Sequence, residues 1–129
     1  MTEPEPDPYP WLPFEVVRDH LRIKADSEEL ICAHDAIERA RRFACEFVED
    51  NRPDRWLWEP IDGVLTRTVY VAGPRLIAGA LLVASRYYAR AGSPLGTVSY
   101  GEFATQMLRS DPDVAGALGL GRYARPRVG

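Results

Sequence analysis

The feature that most limits how this chain can fold is an apolar helix predicted over residues 74–91, PRLIAGALLVASRYYARA. Pro74 favours the first helical turn, where a missing N–H costs no hydrogen bond, and Gly92 favours the position after the last turn. Between Leu76 and Ala84 there is no charged residue. A helix that is apolar on nearly all sides is usually buried on nearly all sides. The rest of this small chain, or other copies of it, must therefore cover the segment.

A longer helix, predicted over residues 27–51, supplies most of that cover. Asp26, followed three residues later by Glu29, has the pattern of a capping box at its start. Apolar residues then recur every three or four positions. The stripe consists of Leu30, Ala33, Ile37, Ala40, Ala44 and Phe47, widened by Ile31, Phe43 and Val48. The arginines of this helix, Arg41 among them, are predicted on its remaining surface.

The other predicted elements are short. Helices are expected near residues 13–21 and 112–118, the second because Asp111-Pro112 joins an N-cap residue to a proline at the first helical position. Residues 64–71 are rich in β-branched side chains and tyrosine, which favours a strand. That strand must pair with residues 56–58 in a hairpin, with residues 97–100, or with another chain. The predicted fold class is therefore mainly α, a small bundle with the long helix packed on the apolar one and a short β-hairpin in 56–71.

Both ends of the chain differ in composition from the predicted helical domain over residues 13–120. Residues 1–12, MTEPEPDPYPWL, have four prolines that disfavour a helix. We interpret them as an arm, either disordered or extended and docked on a neighbour through Tyr9 and Trp11. Residues 121–129, GRYARPRVG, read as a basic tail.

Charge is unevenly distributed along the chain. Residues 1–60 have fifteen acidic and eight basic residues, a net charge of −7, and residues 61–129 have four and eight, a net charge of +4. Such a division either has no role or brings copies together head to tail. There is no long basic cluster, which argues against a nucleic-acid-binding protein.

We expect no membrane association, since the longest apolar run is too short to span a bilayer and the N-terminus lacks the basic and apolar regions of a signal peptide. Synthesis in the cytoplasm is the expectation.

The residues that could support chemistry do not form a recognisable site. Cys32 and Cys45 lie in the same predicted helix, roughly 20 Å apart, so they are expected to be reduced and buried rather than bonded to each other. Cys32 and His34 point to opposite sides of that helix, which disfavours a metal site with Cys45. There is no phosphate-binding glycine loop and no nucleophile elbow. We therefore expect no cofactor, no metal and no enzymatic activity.

Three stretches together resemble one protein family. They are PFEVVRDHLRIKADSEELICAHDAIERA (13–40), RLIAGALLVASRYYARAGSPLG (75–96) and DPDVAGALGLGRYARPRVG (111–129). In the order of their elements and in short runs of sequence, they are similar to the head–tail connector adaptors of long-tailed bacteriophages, which form the ring beneath the portal. Residues 52–73 match no pattern of that family and read as an insertion.

The resemblance implies a structural virion protein at the head–tail interface. It implies a homo-oligomeric ring, dodecameric on the portal, with the portal protein on one side and a stopper or head-completion protein on the other. DNA would pass through the ring without specific binding. The resemblance makes the C-terminal segment the portal-contacting part, with candidates Arg122, Tyr123, Arg125 and Arg127. Candidates for the lumen or the subunit interface are Glu38, Glu46 and Glu49. The alternative is a small helical regulatory or protein-interaction module without enzymatic activity.

Overall fold

The computed structural model describes residues 6–25, 27–91, 108 and 110–120, and in that part the chain is mainly helical with one β-hairpin, as predicted. The elements in chain order are α1 (Phe14–His20), α2 (Glu28–Asn51), a 3-10 turn (Pro53–Arg55), β1 (Trp56–Ile61), β2 (Val64–Tyr70), α3 (Pro74–Ala91) and α4 (Pro112–Leu118). Helix α2 packs on α3, α4 also packs on α3, and α1 contacts both long helices.

The core lies mainly between α2 and α3, and its apolar stripes are largely those expected from helical periodicity. The fully or almost fully buried side chains on these two helices include Ile37, Ala40, Ala44, Phe47, Val48, Leu76, Ala80, Val83 and Ala84. Phe43 of α2 stacks on Tyr87 of α3, with ring centroids 4.8 Å apart. Leu81 and Tyr88 of α3 are half-buried against the same cluster. The predicted packing of the long helix on the apolar helix is therefore confirmed.

The beginning of α2 differs from the prediction. Ser27 is the N-cap residue, because its Oγ accepts a hydrogen bond from Leu30 N at 3.1 Å; Asp26 lies outside the described residues. Ile31 is 80% exposed and Cys32 is also exposed, so their predicted burial was wrong. Both side chains lie outside the core cluster, which Leu30 and Ala33 of the same helix contact instead. Cys45, further along, is buried as predicted, and this burial raises the pKa of its thiol.

Helix α4 is closed at both ends by local sequence signals. The Asp111 carboxylate accepts hydrogen bonds from the N–H groups of Asp113 and Val114, which confirms the predicted start. Gly119 ends the helix with a φ of 68°, in the left-handed region that glycine adopts without strain. The helix seats Leu118 against Gly79 of α3, where an added Cβ would lie 2.6 Å from Leu118 Cδ2. The absence of a side chain at Gly79 therefore sets how closely these helices approach.

We expect Gly79→Ala to lower the free energy of unfolding by about 1 kcal/mol. Alanine improves helix propensity by about 1 kcal/mol, but crowding the buried Leu118 costs about 2 kcal/mol. Urea unfolding measures the difference. In a Leu118→Ala background, where the two nearest crowding atoms are gone, the same change should be neutral or stabilising. An equal loss in both backgrounds would contradict the close approach.

The hairpin follows the 3-10 turn after α2, and its two strands pair with each other, which resolves the pairing alternatives in favour of the hairpin. Asp62 and Gly63 form a two-residue turn with φ values of 52° and 77°, the conformation of the tight turns that suit twisted hairpins. β1 extends through Ile61, so Glu59 and Pro60, which follow the predicted pairing residues 56–58, also belong to the strand. Register shifts by one residue after Leu57. Residues 97–100 lie outside the described residues.

Candidate functional site

The first notable group of polar residues surrounds Arg41, a buried arginine on α2 with a side chain only 3% exposed. Its guanidinium donates to the backbone oxygens of Leu12 at 2.6 Å and Tyr9 at 2.8 Å, and to Glu38 at 2.8 Å. It also forms a salt bridge with Asp7. Burial lowers the pKa of Arg41, but the hydrogen bond to Asp7 and the charge of Glu38 outweigh it, so the pKa is raised overall. Arg41 therefore fixes the N-terminal segment onto α2, and its predicted place on the surface was wrong.

Two aromatic side chains extend this attachment along α2. The Tyr9 hydroxyl donates to Glu46 at 3.1 Å, and Trp11 Nε1 donates to Glu49 at 2.9 Å. Burial and the bond to Glu46 raise the pKa of Tyr9 to about 12, so the phenol keeps its donor proton at neutral pH. Leu12, the next residue, is fully buried. We call residues 6–12, held by these contacts, the clasped arm.

Within this chain, Tyr9 and Trp11 dock on α2, where the carboxylates of Glu46 and Glu49 lie one turn apart and accept their hydrogen bonds. Docking of the arm on a neighbour stays a prediction. The three acids predicted at the lumen or the subunit interface, Glu38, Glu46 and Glu49, all accept hydrogen bonds within this chain. Their role at a lumen or interface stays a prediction.

Two carboxylates at this attachment, Asp7 of the clasped arm and Glu49 of α2, respond to pH in opposite directions. The hydrogen bond from Arg41 lowers the pKa of Asp7, so this contact stabilises the fold above the ordinary aspartate pKa of about 3.9 and is lost as the pH falls through the lower folded value. Burial raises the pKa of Glu49, so its protonation on acidification favours the folded state.

Asp7→Asn should weaken arm docking at neutral pH and make it less sensitive to acid. The amide keeps a hydrogen-bonding oxygen but has no charge for Arg41. Docking is followed through the NMR signal of the Trp11 indole N–H from pH 7 to pH 2. The difference between the two proteins should shrink as the pH falls below the aspartate range. A difference that is constant across the whole range would contradict an ionic role for Asp7.

A second group of residues forms an aromatic face on the hairpin. Cross-strand register places Trp56, Trp58 and Pro60 of β1 on the same face as Leu65 and Arg67 of β2. The Arg67 guanidinium lies over both indole rings, 5.4 Å from each ring centroid, within the range of cation–π attraction. At the base of the hairpin, Tyr70 contacts Trp56 edge to face and also lies 5.2 Å from the Trp11 ring of the clasped arm. We call this surface the Trp–Arg face.

Beyond its base the hairpin is exposed on both sides. Trp56 and Tyr70 join the core cluster, but the large apolar side chains further along β1 and β2 are about half or more exposed. They are Leu57, Trp58, Ile61, Val64, Leu65 and Val69. A two-stranded hairpin is marginal on its own in water, and contiguous exposed apolar residues are typical of interaction surfaces. The hairpin is therefore the part of the described chain best suited to contact a partner.

The described residues contain no group of three or more histidine, cysteine, aspartate or glutamate side chains placed to bind a metal ion. His34, considered above with the cysteines, stacks on Phe14 of α1 with ring centroids 4.6 Å apart. In the same part of the chain, no helix has the length and hydropathy needed to cross a membrane.

The predicted portal-contacting residues Arg122, Tyr123, Arg125 and Arg127 lie outside the described residues. Sequence reasoning missed Arg41 and Arg67. A charged residue four positions after Ile37 and three before Ala44 lies on the apolar stripe, and that signal could have identified Arg41.

No family model, curated protein or solved structure shows a significant match to this chain.

Proposed function

We propose that this chain is a non-enzymatic structural subunit, an adaptor that assembles with copies of itself into a ring at the head–tail junction of a phage. The observation that carries this proposal is the hairpin, which exposes apolar side chains on both faces beyond Trp56 and Tyr70. Exposed apolar side chains are unfavourable in water when the subunit is alone. They become buried when neighbouring subunits bind the hairpin.

The position in the virion is proposed from the resemblance of the three sequence stretches to the connector adaptors. In this arrangement the ring lies between the portal and a stopper or head-completion protein, and DNA passes through its lumen. The helical bundle supports the proposal because its two long helices pack on each other and carry the hairpin between them in sequence.

Removal of residues 121–129 tests the contact with the portal. We expect the truncated chain to keep its melting temperature, because the buried core of the described residues lies within residues 12–118. Binding to isolated portal rings should be lost. A variant with lysine at Arg122, Arg125 and Arg127 keeps the positive charge of the tail but removes the planar guanidinium groups. It should bind the portal more weakly than the original chain if those groups pair with carboxylates. Unchanged affinity of the truncated chain would refute the role of the tail.

The same binding assay distinguishes the adaptor from a regulatory or interaction module with a cellular partner. An adaptor binds the assembled portal in many copies with one common stoichiometry. A regulatory module has no affinity for the portal, with or without its tail.

A further inference from the structure

The clasped arm and the hairpin meet at the base of the hairpin. The Trp11 ring of the arm lies 5.2 Å from the Tyr70 ring of β2, and Tyr70 also contacts Trp56 of β1 edge to face. The Arg67 guanidinium in turn lies over the Trp56 and Trp58 rings. A continuous series of ring and cation–π contacts therefore leads from the arm to the exposed Trp–Arg face.

The same base attaches the hairpin to the helical bundle. Tyr70 is buried, and its hydroxyl donates to the Arg52 backbone oxygen at 3.0 Å and lies 3.4 Å from that of Val48. Among the described residues of β1 and β2, Trp56 and Tyr70 are the ones that join the core cluster. The orientation of the hairpin on the bundle therefore depends on the packing around these two rings.

The Trp56 side chain is held at this base by packing rather than by hydrogen bonding. Its Nε1 atom is buried and has no hydrogen-bond partner in the described part of the chain. The position of the indole thus depends on its contacts with Tyr70 and Arg67. A displacement of Tyr70 is therefore expected to reach the Trp–Arg face through Trp56.

Electrostatic interactions connect the arm to the same face a second time. Trp11 Nε1 donates to the Glu49 carboxylate at 2.9 Å. Burial raises the pKa of Glu49, and both this hydrogen bond and the charge of Arg67 oppose the rise. Arg67 therefore favours the charged carboxylate, which is the stronger acceptor for the Trp11 indole.

We propose that the clasped arm acts as a strap that fixes the orientation of the hairpin on the bundle, so that release of the arm and movement of the hairpin are coupled. When the arm is docked, Trp11 packs against Tyr70 and holds the base of the hairpin. When the arm is released, Tyr70 loses this contact and the base opens more frequently. Because such coupling is reciprocal, a partner that moves the hairpin must also loosen the arm. The inference goes beyond the proposed function, since it concerns the isolated chain.

Amide hydrogen exchange of the full chain tests the coupling from the side of the arm. The reporter is the Val71 amide, which donates to the Arg55 backbone oxygen at 3.0 Å beside the hairpin base. Trp11→Ala, which removes the contact with Tyr70, should accelerate its exchange about two- to tenfold, the range expected for the loss of one aromatic pair. Asp7→Asn, which weakens arm docking through Arg41, should accelerate it in the same direction but less.

Val114→Ala is the control for general destabilisation. Val114 is completely buried on α4, which packs on α3, so alanine there lowers the stability of the core without altering the arm or the hairpin. This variant shows how much global unfolding alone contributes to exchange at Val71. If Trp11→Ala accelerated exchange at Val71 no more than Val114→Ala does, the inference would be overturned.

Arg67→Ala tests the reverse direction. Arg67 is exposed, so the fold should remain intact, but exchange of the Trp11 indole N–H should accelerate. Glu59→Ala, on the opposite face of the hairpin, should leave that exchange unchanged. In the double variant with Trp11→Ala, the effects on the Val71 amide should be less than multiplicative, because both changes break one series of contacts. Independent effects in the double variant, or an unchanged Trp11 signal in Arg67→Ala, would refute the coupling.

Discussion

Replacement of Arg41 by alanine is expected to lower the free energy of unfolding by about 3–5 kcal/mol, the range measured when one partner of a buried ion pair is removed. The guanidinium bonds two backbone oxygens of the clasped arm and two carboxylates, so its loss leaves several acceptors unpaired. The arm should detach, which exposes Leu12 and Trp11. Urea unfolding gives the free energy, and hydrogen exchange of the Trp11 indole reports the arm.

Arg42→Ala is the control for this prediction. Arg42 is the next residue on the same helix and also bonds Glu38, but its side chain is 53% exposed. Surface pairs of this kind contribute about 0.3–0.5 kcal/mol, so the control should be nearly neutral. Arg41→Lys should fall between the two, because lysine keeps the charge without the planar set of donors. Similar losses for the two alanine variants would show that Arg41 has no special role in holding the arm.

Val83→Asp is expected to unfold the chain or to destabilise it by at least about 4 kcal/mol. Val83 is completely buried within the core cluster shared by α2 and α3, and a carboxylate there would be an unpaired buried charge. Circular dichroism at 222 nm during heating measures the change. Leu81→Asp, at a half-buried position of the same helix, should be less damaging.

Ala78→Asp tests whether burial rather than helix propensity causes this loss. Ala78 lies on α3 but is exposed, so the carboxylate remains in water and the expected cost is about 0.7 kcal/mol from propensity alone. If Ala78→Asp and Val83→Asp lowered the melting temperature equally, the assigned core of α3 would be wrong.

The helices were predictable because their signals are local. Apolar spacing of three or four residues identified α2, a continuous apolar run between Pro74 and Gly92 identified α3, and Asp111-Pro112 identified the start of α4. The hairpin was also predictable. The position of its turn could also have been predicted, because Asp-Gly between two predicted strands is a strong signal for a two-residue turn. That signal places Glu59 in the strand.

The clasped arm was not predictable in the same way. A proline-rich segment has no apolar periodicity, so nothing local indicates where it docks. Its contacts join residues far apart in sequence, as Trp11 and Glu49 show, and depend on the assembled helix surface. The Trp–Arg face arises from strand register: the one-residue shift after Leu57 places Arg67 opposite Trp58, and this shift is not visible in the sequence.

Electron microscopy of the purified chain mixed with isolated portal tests the central claim most directly. The adaptor proposal predicts an added ring of density, coaxial with the portal and of the same rotational symmetry, on one end of the portal only. Portal particles without added density, under conditions in which circular dichroism shows the chain to be folded, would contradict it.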